Sequence, residues 1–138
     1  MTAKEYLLQA STIRRQVKRT EEKIQEIETL MQNVRAIRYD KLQVQSSPSG
    51  DRLAEEYIRL EAAKELMIQQ AADYFTIYHT IENQINQMPK LYRDILWLRY
   101  LEETSLDRIA EILNYSDKYI RNEHGAALQE FGKRFLGE

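Results

Sequence analysis

The sequence predicts an all-α protein in which a long antiparallel helical hairpin, paired as a coiled coil, is followed by three short C-terminal helices. Three observations predict this class. The 138 residues include only four glycines and two prolines, and helix-favouring residues are frequent. Two long stretches place apolar side chains at alternating steps of three and four residues. A proline, Pro89, separates these stretches from a region with shorter apolar clusters.

The first predicted helix extends over about residues 2–39. Its apolar positions advance by alternating steps of four and three, which is the spacing of a coiled-coil seam. The seam positions are Tyr6, Ala10, Ile13, Val17, Thr20, Ile24, Ile27, Met31 and Val34.

The second predicted helix keeps the same alternation up to Met88. Its seam positions are Leu53, Tyr57, Leu60, Lys64, Met67, Ala71, Tyr74, Tyr78, Ile81, Ile85 and Met88. Lys64 is the only charged residue on this seam. Its ammonium either reaches solvent along a buried stem or marks a register or partner site, and the sequence leaves both interpretations open.

A loop near residues 40–51 is predicted between the two helices. The segment from Gln45 to Gly50 combines a proline, a glycine and small polar residues, and Asp51 follows as a plausible N-cap of the second helix. Each helix would be roughly 50 Å long at about 1.5 Å per residue, so its apolar seam needs another helix to cover it. Folding back into an antiparallel hairpin is the simplest solution.

Mirroring the two seams about the loop gives one register for this hairpin, although a slip of one heptad also fits the pattern. Charge favours the pairing, because residues 1–41 carry nine Lys or Arg against six acids, while residues 51–88 carry three against seven. The register pairs Thr20 with Ala71, Ile24 with Met67, Met31 with Leu60, and Val34 with Tyr57.

Pro89 predicts a domain boundary, because proline does not continue a helix but fits its first turn. The predicted domains are the hairpin, residues 1–88, and a C-terminal domain, residues 89–138. In the latter, an apolar face is followed by a break at residues 102–104. Ser105 and Ser116 are predicted N-caps of the next two helices, the last of which runs toward Phe135.

Three residues of this C-terminal domain have the spacing of a helix-turn-helix. Such a motif needs a small residue where the helices cross, a residue tolerant of positive φ at the turn, and a branched apolar residue in the second helix. Ala110, Asn114 and Ile120 satisfy these needs, since asparagine tolerates the left-handed region. An ordinary three-helix core is the alternative interpretation of the same spacing.

A longer pattern surrounds these three residues. It consists of YRDILWLRYL at residues 92–101, SLDRIAEIL at 105–113, YS at 115–116 and IR at 120–121. This pattern resembles sigma factor region 4, and the resemblance covers about fifty residues. The following HGAAL at residues 124–128 is similar to phage and prophage late-gene transcriptional activators of Gram-positive hosts. The resemblance implies a domain that binds double-stranded promoter DNA and can touch RNA polymerase.

The same resemblance implies which side chains would contact DNA. Region 4 presents base-reading residues at the exposed start of its last helix, where arginine can read guanine and asparagine adenine. Here these residues are Asp117, Lys118, Arg121 and Asn122, with Lys118 and Tyr119 as phosphate contacts and Ser116 at the helix N-terminus. Arg108 and Lys90 are weaker candidates for the DNA backbone. A solvated helix face is the alternative interpretation of the set.

The composition excludes several other functions. There is no cysteine for a disulfide or thiolate site, and two isolated histidines do not form a zinc site, so we expect no metal and no cofactor. No membrane segment or export signal is visible, and we expect the cytoplasm of a bacterial host cell. The formal charge of −2 means that DNA contact must be local, or supported by a homodimer through the hairpin or by polymerase.

The resemblance therefore implies a sequence-specific DNA-binding transcriptional regulator, an activator of phage late genes acting with RNA polymerase. The sequence predicts no enzyme, because no nucleophile–base pair or glycine-rich phosphate loop is present. Two alternatives remain open. One is a phage DNA-packaging subunit of the small-terminase kind, which a ring-shaped oligomer would favour. The other is a coiled-coil protein-interaction adaptor, which would not bind DNA in a salt-sensitive manner.

Two aromatic residues of the C-terminal domain have a structural and a functional interpretation. Trp97 could contact polymerase, but we expect it to pack. His124 lies on the predicted inward side of the last helix, where a packing role is expected rather than contact with DNA.

Overall fold

The computed structural model describes the backbone of residues 1–44 and 49–138 and the side chains of residues 1–40 and 52–138. Within these residues the secondary structure is five α-helices and one π-helical segment, with no strand, so the predicted all-α class is confirmed. The elements are α1 (Ala3–Val44), α2 (Ser49–Asn86), α3 (Lys90–Leu96), the π-helical segment Trp97–Leu101, α4 (Leu106–Leu113) and α5 (Asp117–Phe135).

Both long helices extend further toward each other than the sequence analysis expected. α1 continues past residue 39 to Val44, and α2 begins at Ser49, so Asp51 lies inside α2 rather than at its N-cap. The extension of α1 has a local reason, because Lys, Leu and Gln at residues 41–43 are good helix formers. The remainder of the predicted loop, residues 45–48, lies outside the described residues.

Contacts divide the chain into two compact units, and the first takes in both ends of the sequence. Unit 1 comprises Met1–Arg15 and Phe75–Glu138, and unit 2 comprises Gln16–Tyr74. Unit 1 therefore contains residues from both sides of the predicted boundary at Pro89. The division into separate domains at residues 1–88 and 89–138 stays a prediction.

In unit 2 the two long helices are antiparallel. The ammonium of Lys64 lies 3.1 Å from the carboxylate of Glu28, and Arg35 donates a hydrogen bond to the hydroxyl of Tyr57. These partners agree with the predicted register, which pairs Val34 with Tyr57, whereas a heptad slip would move each partner seven residues along α2. Lys64 thus has a partner in Glu28. Knobs-into-holes packing of the coiled coil stays a prediction.

In unit 1 the first turns of α1 and the last turns of α2 share a core with the C-terminal helices. Leu7, Ile81, Ile85 and Phe131 are fully buried. Tyr6 donates a hydrogen bond of 2.6 Å to Gln84, and its ring centroid lies 5.8 Å from that of Phe131. Arg14 donates to the carbonyl of Leu101 at 2.7 Å, and Arg134 donates to that of Gln87 at 3.2 Å. Burial of these apolar side chains is the main stabilising contribution to unit 1.

The π-helical segment ends α3 and places buried residues at an unusual spacing. Ile95 and Leu96 are buried, and so are Tyr100 and Leu101, five residues later. The amide of Glu102 donates to the carbonyl of Trp97 at 3.1 Å, which is the five-residue hydrogen bond of a π-helical turn. Glu103 then has a φ of 53°, in the left-handed region, so the chain leaves the helix where the sequence predicted a break.

None of the helices in the described part of the chain contains an apolar stretch long enough to cross a lipid bilayer.

Candidate nucleic-acid interface

The helix-turn-helix is held by a small apolar core. Ile95 of α3, Ile109 and Ala110 of α4 and Ile120 of α5 are buried together. The side chains packed against this core are Leu91, Leu98, Leu106 and Leu113. Ala110 is 1% exposed, as expected for a residue at a helix crossing where a larger side chain would force the helices apart.

Both helices of the motif begin at a serine cap. Ser105 and Ser116 have extended backbones, and each side-chain oxygen accepts a hydrogen bond from the amide three residues later. The distances are 3.2 Å from the amide of Arg108 and 3.1 Å from that of Tyr119. The predicted caps are confirmed, and they fix the first residues of α4 and α5.

The turn between α4 and α5 depends on Asn114. This residue has φ 61° and ψ 45°, the left-handed conformation that the sequence analysis assigned to it. The following amide, that of Tyr115, donates to the carbonyl of Ala110 at 2.9 Å and closes the end of α4. The chain can therefore reverse within three residues and start α5 at Asp117.

The predicted base-reading residues share one exposed surface of α5, here called the reading face. It consists of Asp117, Lys118, Arg121 and Asn122, which are all exposed and have the spacing of one helix face. Ile120 is buried and lies on the opposite side, against α4. The four residues are thus held together on a helix whose other face is anchored.

The other predicted contact residues are also exposed. Ser116 and Tyr119 flank the reading face at the start of α5, Arg108 lies in the first turn of α4, and Lys90 is the first residue of α3. Contact of these residues with DNA stays a prediction.

Two arginines of the predicted interface are paired with acids of α4, which the sequence analysis did not anticipate. Nη2 of Arg121 lies 3.2 Å from Oδ1 of Asp107, and Nη1 of Arg108 lies 2.8 Å from Oε2 of Glu111. The second pair has the helical spacing of three residues and was visible in the sequence. The first joins residues fourteen positions apart, so it depends on how α4 and α5 cross.

The charge around the reading face is close to balanced. Residues 105–123 contain four acids and three bases. Since phosphate neutralisation by Lys and Arg dominates non-specific affinity, this helix-turn-helix has no excess positive charge to bind DNA of arbitrary sequence.

An exposed aromatic patch lies beside the reading face. The ring centroids of Tyr115 and Tyr119 are 4.8 Å apart, and Ile112 of α4 is 44% exposed. Partial desolvation raises the pKa of the Tyr119 hydroxyl, with Glu123 and Tyr115 adding to the effect. A phenol is neutral at neutral pH even without this shift, so the hydroxyl can donate a hydrogen bond. The sequence analysis did not identify Ile112 and Tyr115 as surface candidates. The signal available in the sequence was Ile112, an apolar residue on the polar side of α4.

His124 and Trp97 lie away from the reading face. Nε2 of His124 is 2.8 Å from the hydroxyl of Tyr100, and the two rings are stacked with centroids 5.7 Å apart. The packing role predicted for this histidine agrees with that contact. Trp97 is half-buried at the start of the π-helical segment.

In the part of the chain whose side chains are described, no group of three acidic or histidine residues could hold a metal ion.

Comparison with known proteins identifies the motif. Residues 78–130 match the protein family described as Sigma-70, region 4. A sigma-70 region 4 domain of the helix-turn-helix type is therefore present in the chain, and it includes the last turns of α2 together with α3, α4 and most of α5. No curated protein and no solved structure matches the chain. The match suggests a DNA-binding regulator.

Proposed function

We propose that this protein is a sequence-specific transcriptional regulator that binds promoter DNA by placing α5 in the major groove. The observation that carries the proposal is the sigma-70 region 4 domain, in which the reading face is exposed and the opposite face of α5 is buried. An α-helix fits the major groove, and only there do base edges distinguish all four base pairs.

The residues of the reading face have chemically distinct roles in this proposal. The guanidinium of Arg121 can donate two hydrogen bonds to O6 and N7 of guanine, and the amide of Asn122 can pair with N6 and N7 of adenine. Asp117 can accept a hydrogen bond from N4 of cytosine. Lys118 forms no ion pair with any acid among the described side chains, and its ammonium suits a phosphate.

Residues around the reading face would fix its position along the duplex. The N-terminus of α5 at Ser116 presents backbone amides to a phosphate, and the neutral hydroxyl of Tyr119 can donate to another. Arg108 and Lys90 are proposed to contact the DNA backbone more peripherally. These contacts would set orientation without reading sequence.

The balanced charge of the interface implies support from a partner, because few phosphates would be neutralised by one copy. The finer proposal is an activator of phage late genes that acts with RNA polymerase. The resemblance of residues 124–128 to late-gene activators supports it, and so does the presence of region 4. Tethering to polymerase would raise the effective concentration of the domain at the promoter without new base contacts.

Homodimerisation through the hairpin is the second part of this finer proposal. Unit 2 leaves large apolar side chains exposed on both helices, namely Leu30, Ile37, Ile58, Leu66 and Ile68, each at least 46% exposed. These side chains lie outside the predicted seams, so the pairing of α1 with α2 does not cover them, whereas a second copy packed against them in a four-helix arrangement would. The basic α1 of one copy would suit the acidic α2 of the other.

The proposed DNA binding is tested by selection from a pool of duplexes with a randomised core, followed by fluorescence anisotropy at two salt concentrations. The full chain should enrich a defined sequence, and the double variant Arg121→Ala with Asn122→Ala should lose the preference while its far-ultraviolet circular dichroism is unchanged. The matched control is Arg59→Ala with Gln69→Ala on α2, which should keep the preference. Enrichment of no sequence by the unmodified chain contradicts the proposal.

Dimerisation is tested separately by sedimentation equilibrium of the full chain. A dimer that becomes a monomer in Leu66→Lys, but not in the polar control Gln69→Lys, supports the hairpin interface. A monomer at all concentrations contradicts it, while a ring of many copies points to a DNA-packaging subunit.

A further inference from the structure

The ion pair between Asp107 and Arg121 joins the two helices of the motif on its solvent-exposed side. Asp107 is the second residue of α4 and Arg121 the fifth of α5. The two side chains are 65% and 64% exposed, and their atoms Oδ1 and Nη2 are 3.2 Å apart. The pair therefore lies in the open, where an approaching duplex can reach it.

Folding alone does not account for this pair. Exposed ion pairs contribute little to stability, because water screens their attraction and two long side chains lose freedom. α4 and α5 are already held together by the buried contacts of Ile109, Ala110 and Ile120. The carboxylate is better explained by its effect on the guanidinium that it faces.

A guanidinium has five N–H donors arranged in a rigid plane. The described contact of Arg121 with Asp107 uses Nη2 and leaves other donors free for a bidentate contact with guanine. A carboxylate at this position restricts the side chain to fewer rotamers, so less conformational entropy is lost when the base contact forms. It also repels phosphates, which an unrestrained arginine would bind at any sequence.

The geometry points to Asp107 as a positioning residue for base recognition. It fixes the orientation of the Arg121 side chain on the reading face and weakens the binding of Arg121 to phosphates. This inference rests on the proposed function and deepens it, since it assigns sequence discrimination partly to a residue outside α5. The nearly balanced charge of residues 105–123 then favours specificity, because low affinity for arbitrary DNA raises the ratio of specific to non-specific binding.

A second pair in the same helix supplies a matched control. Glu111 lies 2.8 Å from Arg108, is also exposed, and belongs to α4 like Asp107. Replacing either acid by its amide removes one negative charge from α4 and releases one arginine. Only Asp107 faces an arginine of the reading face, so only its replacement should change which bases are selected.

The experiment is selection from the randomised duplex pool with the full chain and its variants Asp107→Asn, Asp107→Glu, Glu111→Gln and Arg121→Ala. Arg121→Ala should erase the preference at one base position. Asp107→Asn should weaken the preference at that same position by about threefold, less than the roughly tenfold or greater discrimination of a complete bidentate contact. It should also make the slope of log affinity against log salt more negative by about one for an arbitrary duplex. Asp107→Glu should restore most of the preference.

Several results would overturn the inference. If Asp107→Asn selects the same sequence as the unmodified chain, or behaves like Glu111→Gln, the pair has no role in recognition. A lower melting temperature of Asp107→Asn with unchanged selection would identify a structural brace only. The proposed function stands after any of these results if Arg121→Ala still loses the preference at one base position. If the unmodified chain enriches no sequence, both the inference and the proposed function are wrong.

Discussion

The phenol of Tyr100 and the imidazole of His124 form a stacked, hydrogen-bonded pair that joins the π-helical segment to α5. Burial lowers the pKa of His124 below its ordinary value of 6.5, and the positive charges of Arg99 and Lys4 lower it further. Burial also raises the pKa of Tyr100 to about 12. At neutral pH the pair is therefore uncharged, and one ring donates the hydrogen bond that the other accepts.

The first prediction is that unfolding stability depends on pH through His124. Because its pKa is depressed in the folded protein, the stability is fully present above 6.5 and is lost as pH falls from there toward the folded pKa. In this pH range the imidazole of His124 takes up a proton in the unfolded chain, whereas in the folded protein it stays neutral. Melting temperatures followed by circular dichroism between about pH 7.5 and 5.5 measure the loss.

The variant His124→Gln should flatten this pH dependence while keeping a polar side chain beside Tyr100. His79→Gln on α2 is the control, and it should leave the dependence from His124 in place. An equally steep dependence in His124→Gln would assign the effect to another group.

A second prediction concerns the turn residue Asn114. Its left-handed conformation costs most side chains about 1–2 kcal/mol, and asparagine or glycine less. We expect Asn114→Ala to lower the free energy of unfolding by roughly 1 kcal/mol, and Asn114→Gly to leave it nearly unchanged. Urea unfolding of the three proteins makes the comparison. Equal stability of the alanine and glycine variants would argue against a conformational cost at this turn.

A third prediction separates the capping role of Ser116 from its role toward DNA. Ser116→Ala should cost about 1 kcal/mol of stability, as should Ser105→Ala at the other cap. Ser116→Asp should keep the cap, because a carboxylate also accepts from the amide of Tyr119. It should nevertheless weaken DNA binding, because a negative charge would face a phosphate.

Thermal unfolding and anisotropy on one selected duplex give the two measurements for these variants. If Ser116→Asp binds this duplex as tightly as the unmodified chain, the N-terminus of α5 does not approach a phosphate.

A fourth prediction tests the register of the hairpin through Glu28 and Lys64. Glu28→Lys and Lys64→Glu should each destabilise the protein by placing like charges together, and the double variant should recover part of the loss. The expected coupling is about 0.3–1 kcal/mol, since both side chains are partly exposed. A double-mutant cycle by urea unfolding measures it. Zero coupling between Glu28 and Lys64 would contradict the register. The control is the pair Glu28→Lys with Arg59→Glu, whose side chains form no ion pair and should show no coupling.

Features encoded by neighbouring residues were predictable from the sequence. The caps at Ser105 and Ser116 and the left-handed turn at Asn114 depend on short-range hydrogen bonds and backbone preferences, and all three were confirmed. The pairing of α1 with α2 was predictable because two long heptad seams leave few registers. The contacts of Lys64 with Glu28 and of Arg35 with Tyr57 agree with the predicted register.

Features that depend on the angle between helices were not predictable. The pair of Asp107 and Arg121 requires knowledge of how α4 crosses α5, which residue spacing does not give. The same holds for Leu7, which is buried in one unit with Phe131 although the two lie at opposite ends of the chain. α1 extends beyond its predicted end because residues 41–43 are good helix formers, and α2 begins before its predicted N-cap because a serine and a glycine do not by themselves exclude a helix.

The π-helical segment Trp97–Leu101 makes the length of this part of the chain as important as its composition. Its wider turn brings Tyr100 and Leu101 to the side already occupied by Ile95 and Leu96, although they are five residues further on. An ordinary α-helix turns by about 100° per residue and would place Tyr100 roughly 140° from Ile95, away from His124. Deleting one residue would allow such a turn and still keep Tyr100 on the buried side, because four α-helical residues return to within about 40° of the starting direction. In related sequences, a one-residue deletion in this segment should therefore occur together with an ordinary α-helical turn.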